Sequence, residues 1–218
     1  MDKKDRQIYK ERYGSFLKQY GYSPEALGWG KKGRQEVRFS ILARHILRHL
    51  DASVLDVGCG FADLYRYLKK YHWNGKYTGL DIVDELLNVA REIDPALDLR
   101  NEDIAEAEDL GKYDFVVASG IFNAKLMYED NERHISNTLS RMFDHAGIAA
   151  IADFMSTYVD YQKEGAWHSD PANVIGYARK LSRRFILYYD YMPYEFAMVI
   201  FKDDLVSNEN VFNALIST

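Results

Sequence analysis

In the stretch VLDVGCGFADLYRYL (residues 54–68), an apolar run closes on Asp56 and two glycines, Gly58 and Gly60, flank Cys59. Glycine at such a bend tolerates positive φ and lets a ligand approach the backbone where a side chain would block it. The acids around this loop set the sign of the ligand it suits. Asp56 precedes it, Asp63 follows it, and Asp81 and Asp103 stand at the ends of the next two strand-like stretches. A ligand rich in hydroxyl and amino donors, carrying net positive charge, fits that set; a phosphate does not.

These residues need elements to hold them. From residue 52 onward, strand-like and helix-like stretches alternate. Strands are predicted at 53–57, 76–81, 97–100, 114–119, 148–153, 184–189 and 196–201, and helices near 61–71, 84–93, 129–144 and 171–182. Alternation of this kind indicates an α/β fold, a doubly wound, mostly parallel seven-stranded sheet covered by helices. "FVVA", "IAAIA" and "AMVIF" are apolar throughout, as strands buried on both faces are. Only "DYMPYE" joins the last two strands, too short for a crossover, so the final strand is predicted antiparallel. In such sheets ligands sit beyond the carboxyl ends of the strands, near the point where the strand order reverses. Before this region, residues 1–50 read as two helices, about 5–20 and 34–50, around a Gly- and Pro-bearing loop at 21–33. The chain therefore divides into an N-terminal helical lid or cap, 1–50, and a ligand-binding domain, 51–218.

Two ligand classes use a glycine loop between the first strand and helix. A dinucleotide places its pyrophosphate on the helix N-terminus and prefers a third glycine. Here that position is Asp63, whose carboxylate would repel a pyrophosphate. S-adenosylmethionine (SAM) carries a sulfonium and an ammonium against one carboxylate. From about Val54 to Phe201 the chain resembles the class I, Rossmann-like SAM-dependent methyltransferases. The resemblance implies roles residue by residue, and S-adenosylhomocysteine (SAH) as product. Asp56, Gly58 and Gly60 would hold the methionine portion, with Cys59 packed between the glycines. Asp81, beside Ile82, would hold the ribose; Asp103 with Ile104 would hold the adenine. Ser119 and Gly120 would line the methyl-transfer centre. Ala62 departs from the family, which often has a further glycine there.

The acceptor is less legible, because aligning it with the methyl carbon requires no fixed catalytic motif. The catalytic group is left unassigned. After the fourth strand the chain reads Ser119-Gly120-Ile121-Phe122, not the Asn/Asp-Pro-Pro-aromatic motif of many amino-methylating enzymes of DNA and protein, so a small-molecule substrate is expected. Candidate acceptor contacts are Asn123, which could instead cap a helix; Tyr158, which could instead pack; His168, a base or a plain loop residue; and Tyr194 among the tyrosines at 188–194. Trp29, flanked by Gly28, Gly30 and Gly33, is expected to cover the site, and Arg38 to pair with the cofactor's carboxylate. His45 and His49 have a metal-compatible spacing but no third ligand, so no metal is expected.

The whole chain narrows the classes further. It has 218 residues, 47% hydrophobic and 28% charged, with net charge −5 and one cysteine. That composition belongs to an ordinary folded domain. No nucleic-acid partner is expected without a massed basic face, the nearest candidate being "KKGRQEVR" at 31–38. No signal-like or membrane-length apolar run is present, and a single cysteine suits a reducing cytoplasm. The oligomeric state is not legible. Competing readings share the sheet: a non-catalytic SAM- or SAH-binding regulatory module, an aminopropyl transferase, or an NAD-dependent oxidoreductase.

Overall fold

The computed structural model describes residues 1–29 and 33–203. Gly30, the lysine pair of the basic stretch at 31–38, and residues 204–218 of the expected second domain lie outside the described residues.

Seven strands form one sheet: β1 (Val54–Val57), β2 (Tyr77–Leu80), β3 (Asp98–Arg100), β4 (Tyr113–Ala118), β5 (Ala146–Met155), β6 (Phe185–Met192) and β7 (Glu195–Phe201). Their spatial order is β3-β2-β1-β4-β5-β7-β6. Pairings through β3, β2, β1, β4 and β5 are parallel, while β7 runs antiparallel to both β5 and β6. The predicted topology is therefore correct. The order reverses between β1 and β4, which places the crevice at the carboxyl ends of those two strands.

Six helices complete the fold: α1 (Lys3–Tyr20), α2 (Arg34–Ile46), α3 (Asp63–Lys70), α4 (Asp84–Ile93), α5 (Asn131–His145) and α6 (Pro171–Leu181). A 3₁₀ turn, Pro24–Leu27, links α1 to α2. Local chemistry starts several of them. The carboxylates of Asp2, Asp130 and Asp170 each accept a backbone N–H of the first turn, and Pro171 occupies the first helical position of α6. Such caps are worth about 1 kcal/mol each.

Alternate residues of the central strands feed two cores. Val54, Phe115, Val117 and Ile151 meet α2 and α3, whereas Leu55, Val116, Ala118 and Ala150 meet α5 and α6. On the second face Phe122, Phe154 and Phe196 stack with centroids 5.0 and 5.1 Å apart, each pair adding about 1 kcal/mol beyond its burial.

Several boundaries shift by one to three residues, and one shifts further. The second helix ends at Ile46, not near 50. There Arg48 N–H donates to His45 O and His49 N–H to Ile46 O, tightening the chain so that it turns into β1. The histidine pair on this segment serves packing: His45 Nε2 lies 2.8 Å from the Tyr188 hydroxyl, and the His49 ring faces Phe115. Burial first, then Arg48, pushes His45 down to about 4, leaving it neutral. No described helix is long and apolar enough to cross a membrane.

Candidate active site

The carboxyl edge of the sheet carries a cavity of about 1090 Å³ including its mouth. Its walls bring together the residues singled out along the first four strands: Asp56, Gly58, Cys59 and Gly60, then Asp81 and Ile82, then Asp103 and Ile104, then Ser119 and Gly120. Trp29 lines it too.

The glycines are needed for the reason expected. Gly58 has φ +73°, and a Cβ there would lie 2.2 Å from the Ile121 side chain; Gly60, at φ +53°, approaches Leu27. Ala62, at the variable third position, adopts the left-handed region at φ 60°, ψ 34°. The conformation a glycine would take is thus kept, at a cost of roughly 1–2 kcal/mol.

Two acids at the floor of the cavity are buried without a cationic partner among the described residues. Asp56 accepts only the Tyr77 hydroxyl, at 2.6 Å, and burial reinforced by the nearby charges of Asp81 and Asp63 pushes its carboxyl up to about 7. Asp81 accepts the N–H groups of Gly60 (2.8 Å) and Val83 (2.9 Å), and burial raises it to about 6 despite those bonds. Both therefore gain from a cationic, hydroxyl-rich ligand, which restores what burial took away. Asp63 differs. It lines the cavity but is paired with Arg66 at 2.7 Å and accepts from Tyr22 and Gln35, so its charge is already met and the case against a pyrophosphate rests on Asp56 and Asp81 instead.

Asp103 is likewise engaged. Its carboxylate takes the Met1 ammonium at 3.1 Å, Arg6 at 3.0 Å and the Ala105 N–H, which ties α1 to the end of β3. The same helix is anchored from the other side by fully buried Asp5, which accepts the N–H groups of Met127, Tyr128 and Glu129, and by Tyr9, whose hydroxyl donates to Lys125 O. α1 consequently forms a wall, with Met1, Tyr9 and Tyr13 facing the cavity.

At the methyl end, Trp29 packs over Gly120, where an added Cβ would lie 3.3 Å from the indole. Arg38 stacks on the same ring, 4.2 Å from its centroid. Its guanidinium, expected to meet the cofactor, is instead bound in both directions to Glu195 at the start of β7, with Nε 2.5 Å from Oε2. Next to this pair, Asp153 of β5 accepts Ser119 Oγ at 2.5 Å and Gly120 N–H at 2.7 Å. Burial lifts Asp153 to about 6 although Arg38 opposes the rise. The Tyr191 hydroxyl in this cluster is buried with no partner, and burial followed by Asp153 and Glu195 raises it strongly.

A second cavity, about 670 Å³ with its mouth, adjoins the first and shares Tyr13, Leu27, Trp29, Gly120 and Ala124 with it. Of the four acceptor candidates, only Asn123 lines it. Tyr158 and Tyr194 are exposed. His168 is buried away from both cavities, its Nδ1 2.8 Å from Ser156 O and its Nε2 accepting Lys163 N–H, so it holds a loop together. Those three candidates line neither cavity because Ser156, Tyr194 and His168 bond with one another at the β5–β7 edge, whereas residues 163–166 of the same segment reach the second cavity.

Sequence reasoning missed Asp153, Glu195 and Tyr13. An acid inside the apolar run "IAAIADF" was a signal for the first, because a buried carboxylate needs partners. Glu195 offered none; it reaches the carboxyl edge only because β7 runs backwards. Tyr13 carried no signal beyond its place in the first predicted helix, yet it lines both cavities. Among the described residues, no group of three His, Cys, Asp or Glu converges in a way that could hold a metal ion.

Residues 54–147 match the sequence model of a family described as "Methyltransferase domain". The chain is 30% identical over 161 residues to the Rv1506c protein of Mycobacterium tuberculosis, named as a methyltransferase, covering 69% of this chain and 93% of that one. In fold it is similar to magnesium protoporphyrin IX methyltransferase of Synechocystis PCC 6803 solved with SAH, with TM-score 0.66, 16% identity, and coverage of 91% of this chain and all of that one. An amino pentose methyltransferase of Micromonospora echinaspora solved with SAM gives TM-score 0.60 at 14% identity, over 82% and 96% of the two chains. With the sheet order, the glycine loop and the acids at the strand ends, these likenesses settle the family and its cofactor: the chain belongs to the class I SAM-dependent methyltransferases.

Proposed function

We propose that the protein transfers the methyl group of SAM to a small molecule bound in the second cavity. The observation that carries this reading is that the two cavities lie side by side, with Tyr13, Leu27, Trp29, Gly120 and Ala124 lining both. The second is enclosed between α1, the 3₁₀ turn and the segment 163–166, a space suited to a metabolite rather than to a polymer. The related structures include enzymes named for a magnesium porphyrin and an amino pentose, which is consistent with a small acceptor.

In this reading Asp81 accepts the ribose hydroxyls, Asp56 faces the cationic methionine end, and Asp103 with Ile104 borders the adenine. When bound, SAM supplies an electrophilic methyl group on a sulfonium. The chain's task is to hold the acceptor in line with it, and orientation of this kind is worth about 7–11 kcal/mol. α1 and Trp29 exclude water from that alignment, and Asp153 fixes the Ser119–Gly120 backbone beside it. Residues 1–50 act as cover and pocket wall in this scheme. The one thiol, Cys59, is buried and unbridged, in keeping with work in a reducing cytoplasm.

The test is transfer from methyl-labelled SAM to a cell extract split by size. Label in the fraction below about 1 kDa supports the reading; label confined to protein or nucleic acid sinks it. SAH binding without transfer to any fraction would favour a non-catalytic binding module.

A further inference from the structure

Resting on that reading, we infer that the acceptor is a flat, anionic small molecule, held by its negative group between Arg12 and Lys163. The two adjoining cavities differ in charge. Around the first stand Asp56, Asp63, Asp81, Glu102 and Asp103, with no lysine or arginine in its wall. Around the second stand Arg12, Arg38 and Lys163 against one carboxylate, Glu164. Arg38 is consumed by Glu195, whereas Arg12 and Lys163 make no salt bridge among the described residues.

The remaining polar side chain points the same way. Asn123 Oδ1 accepts the Met155 N–H at 2.8 Å, so what it offers a ligand is its amide N–H₂, a donor. The charged and amide side chains that line this cavity and are not consumed by Glu195, namely Arg12, Lys163 and Asn123, thus offer donors, against the single carboxylate of Glu164. The apolar walls are Tyr13, Phe16 and Trp29, with Tyr13 and Phe16 edge to face at 6.2 Å. Arg12 lies over the Phe16 ring at 5.4 Å, next to the aromatic surface on which a planar ligand would stack.

Electrostatics also fixes the ligand's direction. In the first cavity Asp63 and Asp103 are already paired, but Asp56 and Asp81 have no cationic partner among the described residues and disfavour an anion, so the negative group stays with Arg12 and Lys163 and the uncharged end of the molecule is turned toward Gly120 and the methyl centre. Specificity then includes rejection: a cationic acceptor would meet Arg12 and Lys163 on entry.

The probes are benzoate, benzamide and benzylamine, titrated calorimetrically into the SAH-loaded protein at low salt. Benzoate is expected to bind at least about tenfold more tightly than benzamide, the increment of one charge-assisted contact, with benzylamine weakest. Rising salt should erode the benzoate signal. The double variant Arg12→Gln/Lys163→Gln should lose at least about tenfold in benzoate affinity while its SAH affinity stays within about twofold. Should the double variant lose SAH as well, Lys163→Gln alone is scored, with a loss of about threefold or more expected. Benzamide or benzylamine binding as well as benzoate, no benzoate binding, or benzoate affinity unmoved by the substitutions overturns the inference and leaves the methyl-transfer reading standing. A wild-type protein that fails to take SAH overturns that reading and this inference together.

Discussion

Lowering the pH from about 7.5 to about 5.5 should weaken SAM binding steeply, because the floor of the cofactor cavity takes up protons that the cation must displace. In the ligand-free protein burial holds Asp56 at about 7 and Asp81 at about 6. A cation beside them favours the ionised forms, so apparent affinity falls by the fraction of each carboxyl that is protonated. For Asp81 that factor changes roughly fourfold across the interval, and for Asp56 roughly 25-fold, giving up to about 100-fold if both must ionise. Both pH values lie below the usual α-amino range of about 7.7–8.0, so the ligand's own ammonium is charged throughout. The sign is opposite for the empty protein. Between about 4 and 7 the folded state keeps protons that the unfolded chain releases, so stability without ligand declines as pH rises through that window. Calorimetric titration at the two pH values measures the first effect, and thermal shift with and without SAM measures the second. Asp56→Asn should reduce the affinity ratio to the fourfold share of Asp81. Equal dissociation constants at the two pH values, or an unchanged ratio in Asp56→Asn, would refute the assignment of Asp56 to the cationic end of the cofactor and of Asp81 to its ribose.

Two further substitutions probe the frame around the site. Gly58→Ala places a methyl 2.2 Å from Ile121 at φ +73°, so SAM binding should fall by at least about tenfold with a stability loss of about 1–3 kcal/mol, read by calorimetry and urea melts. Arg38→Ala leaves Glu195 buried and unpaired and should cost about 3–5 kcal/mol, whereas Arg38→Met/Glu195→Met removes both charges and should cost distinctly less; a double variant no more stable than the single would deny the buried pair.

How much of this was legible depended on how local the signal was. The sheet announced itself because apolar runs in β4, β5 and β7 are short and nearly uninterrupted, and the stretch DYMPYE before β7 left too little chain for anything but a reversal. Asp56, Gly58, Gly60 and Asp81 could be placed because each lies within three residues of a strand end, where topology alone fixes position. Tyr158, His168 and Tyr194 could not, since they belong to segments whose path depends on how β5 meets an antiparallel neighbour. Ser156 N–H donates to Tyr194 O, and His168 closes on Ser156 O, so these residues bind one another along the β5–β7 edge instead of reaching the crevice. The role of Arg38 failed for a related reason: its partner is 157 positions away in sequence.

The reversed strand is what joins these observations. In a wholly parallel sheet every strand would begin at the edge opposite the cofactor, and no side chain from a strand start could reach it. Because β7 runs backwards, its first residue, Glu195, lies opposite Met155 at the carboxyl end of β5. There it binds Arg38 of α2, and Arg38 carries Trp29 on its guanidinium face. Trp29 in turn covers Gly120, whose N–H is held by Asp153 one strand away. The lining that the two cavities share is thus held by the N-terminal segment and the last strand, with β4 and β5 between them. A residue at any link acts on methyl transfer by positioning the next, which is why removing the Arg38 charge alone should disturb the Trp29 wall more than removing the whole ion pair.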